Sequence, residues 1–169
     1  RAHIADTMAF YHPHRIDPAG GFFHYYKDDG TVYDARHRHL VSSTRFVFNY
    51  AMAANEFGED GALRAQYLDA VRHGVAYLRD THFDPHSGGY AWTLRDGRPE
   101  DTRQQCYGAA FVLLAYACAL KAGIDEARGW LGEVWNLLEQ RYWEPDHGLY
   151  RDEATRDWQF SDYRGQNAN

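Results

Sequence analysis

Apolar residues recur along the chain in two alternating kinds of helical pattern. From Leu40 to Phe57, Phe46, Val47, Tyr50, Ala51 and Ala54 fall at helical spacing, and Gly58 ends the run. Gly61–Asp80 predicts a second helix with Leu63, Tyr67, Val71, Val75 and Leu78 on one stripe. Arg64, Asp69, Arg72 and Arg79 lie on the opposite face and are expected in solvent. Cys106–Leu120 (CYGAAFVLLAYACAL) is apolar all round, the pattern of a helix buried on every side. Asp125–Tyr142 is amphipathic again through Ala127, Trp130, Leu131, Val134, Leu137 and Leu138. Ile4, Met8 and Tyr11 place the tail of a further helix in residues 1–11.

A short motif separates these helices and occurs three times: DPAGGF at 17–22, DPHSGGY at 84–90 and EPDHGLY at 144–150. Proline presets φ and glycine permits positive φ, so each copy is a chain reversal. The prolines stand 67 and 60 residues apart, a repeat long enough for two helices and a turn. Short hairpins follow: FFHYY and TVY around Asp29-Gly30, GGYAWTL and RPEDTR around Arg95-Asp96-Gly97, then GLYRDEATRDWQF. The basic tract Arg36–His39 leads into Ser42, Ser43 or Thr44 as the expected cap of the next helix.

Solvated helix, turn with hairpin and buried helix repeat in that order. A buried helix needs solvated ones around it, which is an inner ring inside an outer ring. The expected fold is therefore all-α, about half of an (α/α)6 barrel or toroid with short β-hairpins at its rim, and residues 1–169 form one domain. Further chain after Asn169 is expected to complete the ring. A compact helical bundle with decorative loops is the alternative. In the toroid, inner helices begin at the hairpin end, and polar residues in their first turns line the central cleft. Those residues are Arg45; Gln104, Gln105 and Tyr107; and Arg164, Gln166, Asn167 and Asn169.

Composition narrows the function. Eighteen basic against twenty-four acidic residues, well mixed, give a net charge of −6 and argue against a nucleic-acid partner. No run of eighteen apolar residues exists, so no membrane span is expected. Aromatic residues are 16% of the chain, which suits sugar stacking as well as packing between helices. Exposed aromatics would equally serve a homo-oligomer. Cys106 and Cys118 are twelve residues apart on one helix, about 18 Å of rise, so they read as reduced thiols of a cytoplasmic protein.

Arg45 stands in an otherwise apolar stretch, SSTRFVFNY, so its guanidinium is expected to be buried and either to face a ligand or to pair with Glu56 or Asp101. RGQNAN at 164–169 gathers one arginine and three amides, groups that suit the hydroxyls of a neutral polyol; a merely polar tail is the bland reading. Ten histidines form neither H-E-x-x-H nor a His-Cys cluster, so no metal site is expected. G-x-G-x-x-G, Walker A and G-x-S-x-G are absent too, and no cofactor is expected. Asp17, Asp84 and Glu144 invite comparison with glycosidase carboxylates, but each precedes proline and is expected to fix its loop.

TRFVFNYA (44–51), FDPHSGGYAWTLRDG (83–97), YGAAFVLLAYACA (107–119), RYWEPDHGLYRDE (141–153) and YRGQNAN (163–169) together resemble the N-acylglucosamine 2-epimerase superfamily. The likeness is greatest to its bacterial branch of aldose–ketose isomerases acting on D-mannose. It implies an (α/α)6 barrel about twice this length, a monosaccharide substrate, and metal-free proton transfer between C1 and C2 of an open-chain sugar by two histidines. The first would follow the QNAN segment by two positions and the second would lie near the far C-terminus. By the same resemblance Arg45 is the catalytic residue present, binding and polarising the sugar oxygens, with Tyr107 and Asn167 as substrate-binding partners. The family's Y-G-H-A-F block reads Y-G-A-A-F here, so Ala109 replaces an imidazole expected near the cleft. A sugar 2-epimerase, acting on N-acylglucosamine or cellobiose, and a non-catalytic carbohydrate-binding protein are the rival functions.

Overall fold

A computed structural model describes residues 1–169. α1 (Ala2–Tyr11) ends at the first turn, followed by the hairpin β1 (Tyr25–Tyr26) and β2 (Val32–Asp34). The basic tract becomes a strand, β3 (His37–His39), and runs straight into α2 (Leu40–Glu56). α2 begins at Leu40, where the apolar spacing places it, but its cap is His39 rather than Ser42, Ser43 or Thr44. The His39 imidazole accepts the Val41 N–H. Thr44 turns its hydroxyl back onto the Val41 carbonyl, inside the helix.

α3 (Gly61–Tyr77) starts on Asp60, whose carboxylate accepts the Leu63 N–H. Its predicted stripe is buried from Tyr67 to Leu78. On the other face Asp69 and Arg72 are exposed, but Arg64 and Arg79 are half-buried. Arg79 lies 4.0 Å over the Phe83 ring and reaches Glu133 at 2.6 Å, so it joins two helices rather than meeting water alone. A π turn, Leu78–His82, closes the helix and delivers β4 (Phe83–Asp84), which pairs with β5 (Gly89–Tyr90) around the second turn. β6 (Thr93–Arg95) and β7 (Arg98–Asp101) form the expected hairpin, with Asp96 and Gly97 at φ 52° and 70°.

β8 (Gln104–Gln105) leads into α4 (Cys106–Ala122), which a left-handed Gly123 ends. α5 (Ala127–Leu137) then repeats the design of α3: a π turn at Leu138–Tyr142, paired strands β9 (Trp143–Glu144) and β10 (Leu149–Tyr150), and finally β11 (Glu153–Ala154). No helix is long and apolar enough to cross a membrane.

α2 and α4 both start at the hairpin end and pack side by side, while α3 and α5 return beside them. Small residues permit the close approach. A Cβ on Gly108 would meet Leu40 Cδ2 at 2.9 Å and Trp92 at 3.0 Å. The core runs through Val47, Tyr50, Val71, Val112, Ala115 and Tyr116, and its apolar burial is the main stabilising term. One expectation fails on α4. Ala110, Leu114 and Ala117 are exposed, because neighbouring helices cover only part of its circumference.

Strands stitch successive modules together at the rim. β3 pairs antiparallel with β6, joining the first hairpin to the second, and β8 pairs with β11, joining the second to the third. Each turn carboxylate holds an arginine. Asp17 meets buried Arg38 at 2.6 Å; Asp84 takes Arg156 through bonds of 2.5 and 2.8 Å; Glu144 takes Arg151 at 2.8 Å and Arg164 at 2.5 Å. Their loop-fixing role, expected from the Asp-Pro context, is thus observed in the ion pairs.

Candidate functional site

A cleft of about 980 Å³ opens at the hairpin end, between the heads of α2 and α4 and the segment 161–167. Arg45, Tyr107 and Asn167 all line it, so residues spread over 122 positions of sequence meet at one place. Arg45 is exposed instead of buried, and neither Glu56 nor Asp101 pairs with it. Its position explains this: Arg45, Asn49, Met52 and Glu56 form the one α2 stripe left uncovered. Arg45 also borders a second groove of about 600 Å³ between α1 and α2, so the guanidinium stands where two hollows meet.

One ring holds two of the candidate groups. The Arg45 guanidinium lies 5.3 Å from the Phe111 centroid, and the Tyr107 ring meets Phe111 edge-on at 4.8 Å. Phe111 therefore positions a cation and a phenol together without spending their polar atoms. Gln105 lines the cleft with its amide donated to Glu153. Asn167 and Gln166 present exposed side chains from the short 3-10 turn Gln166–Ala168.

Three other expected lining residues are used elsewhere. Gln104 is buried, its Oε1 accepting the Tyr90 N–H at 3.1 Å and its amide donating to Thr102 O at 2.9 Å. Arg164 is taken by Glu144. Asn169 clamps the Tyr150 backbone, accepting from its N–H and donating to its carbonyl. Ala109 is also displaced from expectation: it faces the core, 4% exposed, and does not line the cleft.

His39 and Trp92 are cleft residues that the spacing arguments passed over. The two rings meet at 4.4 Å with an interplanar angle of 68°. Burial, then the Arg45 charge, lower the His39 pKa, with Asp101 opposing. A signal existed: His39 immediately precedes Leu40, where the helical spacing begins, which is the position of an N-cap. Behind the cleft, burial lowers the His24 pKa to about 3 and the His82 pKa to about 4, so both are neutral imidazoles. Donors, acceptors, a cation and aromatic faces in one open hollow can hold a small polyhydroxylated molecule.

Paired helices with a stitched hairpin rim and a polar cleft at that rim define an α-helical scaffold whose site lies at the hairpin end. The chain belongs to the N-acylglucosamine 2-epimerase (GlcNAc 2-epimerase) family, whose domain matches residues 21–169. It is 53% identical to a D-mannose isomerase of Marinomonas mediterranea, over 99% of this chain and 41% of that protein. A crystal structure of a D-mannose isomerase matches with TM-score 0.92 and 52% identity, over 99% of this chain and 43% of that one. A cellobiose 2-epimerase structure from Spirochaeta thermophila matches with TM-score 0.77 and 27% identity, over 95% and 41%. The chain thus spans about two-fifths of the length of these relatives.

Proposed function

We propose that this chain supplies the N-terminal part of an (α/α)6 barrel enzyme that interconverts D-mannose and D-fructose. The observation that carries the reading is the convergence of Arg45, Tyr107 and Asn167 on one cleft, with Arg45 free of any carboxylate partner. The likeness to D-mannose isomerases supports the choice of substrate.

The open-chain aldose lies with O1 and O2 toward Arg45. A base removes the C2 proton, and the electrons pass through a cis-enediol whose oxygens carry the developing negative charge. Arg45 stabilises that charge, the kind of contribution that costs roughly 10²–10³ in rate when removed. The proton is returned to C1, while the hydroxyl proton of O2 is exchanged for one on O1, giving the ketose. The imidazoles that move the proton belong, by the family resemblance, to chain after Asn169. Tyr107 and Asn167 hold sugar hydroxyls. No metal enters this route. The exposed apolar stripe of α4 would be covered by further helices of the barrel. The two thiols, Cys106 raised by burial to about 12, suit a reducing, cytoplasmic setting.

The test is NMR of the full-length protein with D-mannose in D2O. D-fructose and deuterium at the exchanging carbon are expected. Appearance of D-glucose would make it a 2-epimerase, and absence of both products and of exchange would leave a binding protein. Arg45→Ala is expected to lower kcat/KM roughly 10²–10³-fold.

A further inference from the structure

His39 is the cleft residue whose chemistry the fold has already set. Its Nδ1 accepts the Val41 N–H at 3.2 Å as the cap of α2, so Nδ1 carries no proton and the neutral ring bears its hydrogen on Nε2. Its own backbone N–H is held by His24 Nδ1 at 3.0 Å, and Trp92 packs against the ring at 4.4 Å. Cap, backbone anchor and indole fix the imidazole in position and tautomer. Nε2 has no hydrogen-bond partner in the protein and is not sealed from solvent. Serine, aspartate or asparagine would cap α2 as well or better. What the imidazole adds is its far nitrogen, unspent by the cap, in a residue that lines the cleft with Arg45 and Tyr107.

We infer that His39 is a sugar-binding residue whose Nε2–H donates a hydrogen bond to an oxygen of a monosaccharide lying against Trp92. The inference rests on the cleft being a sugar site and adds a group that the isomerase reading does not require. Arg45 and His39 present only donors, whereas Tyr107 and Asn167 can donate or accept. The oxygens nearest His39 and Arg45 are therefore bound as acceptors. A donor that stays put through the reaction stabilises bound sugar and transition state alike, so its loss raises KM and leaves kcat nearly unchanged.

His39→Asn separates the two roles, because asparagine retains a capping oxygen and lacks the far N–H. In the full-length protein this variant is expected to keep its Tm and raise KM for D-mannose roughly tenfold. His39→Ala removes the cap too, lowering Tm as well. A readout independent of turnover is the long-range 1H–15N spectrum of the histidines. His39 is expected as the neutral Nε2–H tautomer at pH 7, with its Nε2 resonance moving on addition of D-mannitol, a non-reacting polyol. An unchanged KM in a folded His39→Asn protein, or an Nε2 resonance that mannitol leaves in place, overturns the assignment. Should wild type not turn over mannose, the isomerase reading fails while the mannitol shift still decides the role of His39.

Discussion

Ser43 Oγ lies 3.0 Å from His82 Nε2 and 3.5 Å from His24 Nε2, so one hydroxyl at the head of α2 bridges two imidazoles. The protons can be followed along the chain of contacts. His82 Nδ1 donates to Ala91 O, which leaves Nε2 to accept from Ser43. His24 Nδ1 accepts from the His39 N–H, which leaves its Nε2–H facing the same hydroxyl. The relay ties the helix that carries Arg45 to the link between β5 and β6 that carries Trp92, and it holds only while both rings are neutral.

Acid should therefore loosen the head of α2 before it reaches the rim carboxylates. Both rings have native pKa values depressed from 6.5, to about 4 for His82 and about 3 for His24. Above pH 6.5 their contribution to stability is complete. As pH falls, the unfolded rings take up protons that the native ones refuse, and stability is lost down to about pH 4 and pH 3 respectively. The slope is at most about 1.4 kcal/mol per pH unit for each ring. Urea denaturation at pH 7.5, 6.0 and 5.0 measures it. His82→Gln should flatten the dependence and cost about 1–3 kcal/mol at pH 7.5; an unaltered slope would show that His82 is not among the titrating groups.

Asp84 and Arg156 join the second turn to the third hairpin through two bonds. Arg156 holds the Asp84 carboxyl down to about 2. Because the Arg156 side chain is 48% exposed and can rehydrate, the coupling is modest. A double-mutant cycle on Asp84→Asn and Arg156→Ala should return about 1 kcal/mol. Asp84→Asn alone should cost more than Arg156→Ala, since Asp84 also accepts from His86 N–H and Ser87.

Two helical glycines should respond to alanine with opposite signs. A Cβ on Gly74 would stand 2.6 Å from Val47 Cγ2 and 2.8 Å from Phe22 Cε2, both fully buried. Overpacking of that kind costs about 1–3 kcal/mol and outweighs the ~1 kcal/mol gain in helix propensity. Gly132 on α5 has nothing within 4 Å of such a Cβ. Thermal denaturation should show Gly74→Ala below wild type and Gly132→Ala above it.

Ala109→His restores the residue usual in the resembled block, yet the core position leaves no opening to the cleft. The expected result is a lower Tm, by about 1–3 kcal/mol of stability, and no gain in turnover. A rise in kcat at constant Tm would place that side chain in the cleft after all.

The turns were legible because Asp/Glu-Pro and Gly impose local geometry, and the stripe of α3 because Tyr67, Val71 and Val75 repeat at helical spacing. β3 and β8 were not. They are two or three residues long, and their partners lie 54–58 residues away for β3 and 48–50 for β8, so no local pattern marks them. Phe46, Val47 and Phe48 follow Arg45 in sequence and suggest burial, although Asn49 and Glu56 share its exposed stripe. Arg45, Tyr107 and Asn167 converge on one cleft, but Gln104, Arg164 and Asn169 serve the rim, and nothing local distinguishes an amide that binds a backbone from one that faces a ligand.

The stitched rim has a consequence for exchanging parts between relatives. Each helix pair lends a strand to its neighbour, β3 to β6 and β8 to β11, so a hairpin is shared property of two modules. Shortening the loop at Asp96-Gly97 would shift β6, and with it β3 and the histidine that caps α2. The rim of this cleft cannot be re-cut one loop at a time. A working chimera would have to carry consecutive hairpins together, with their borders placed in α3 and α5.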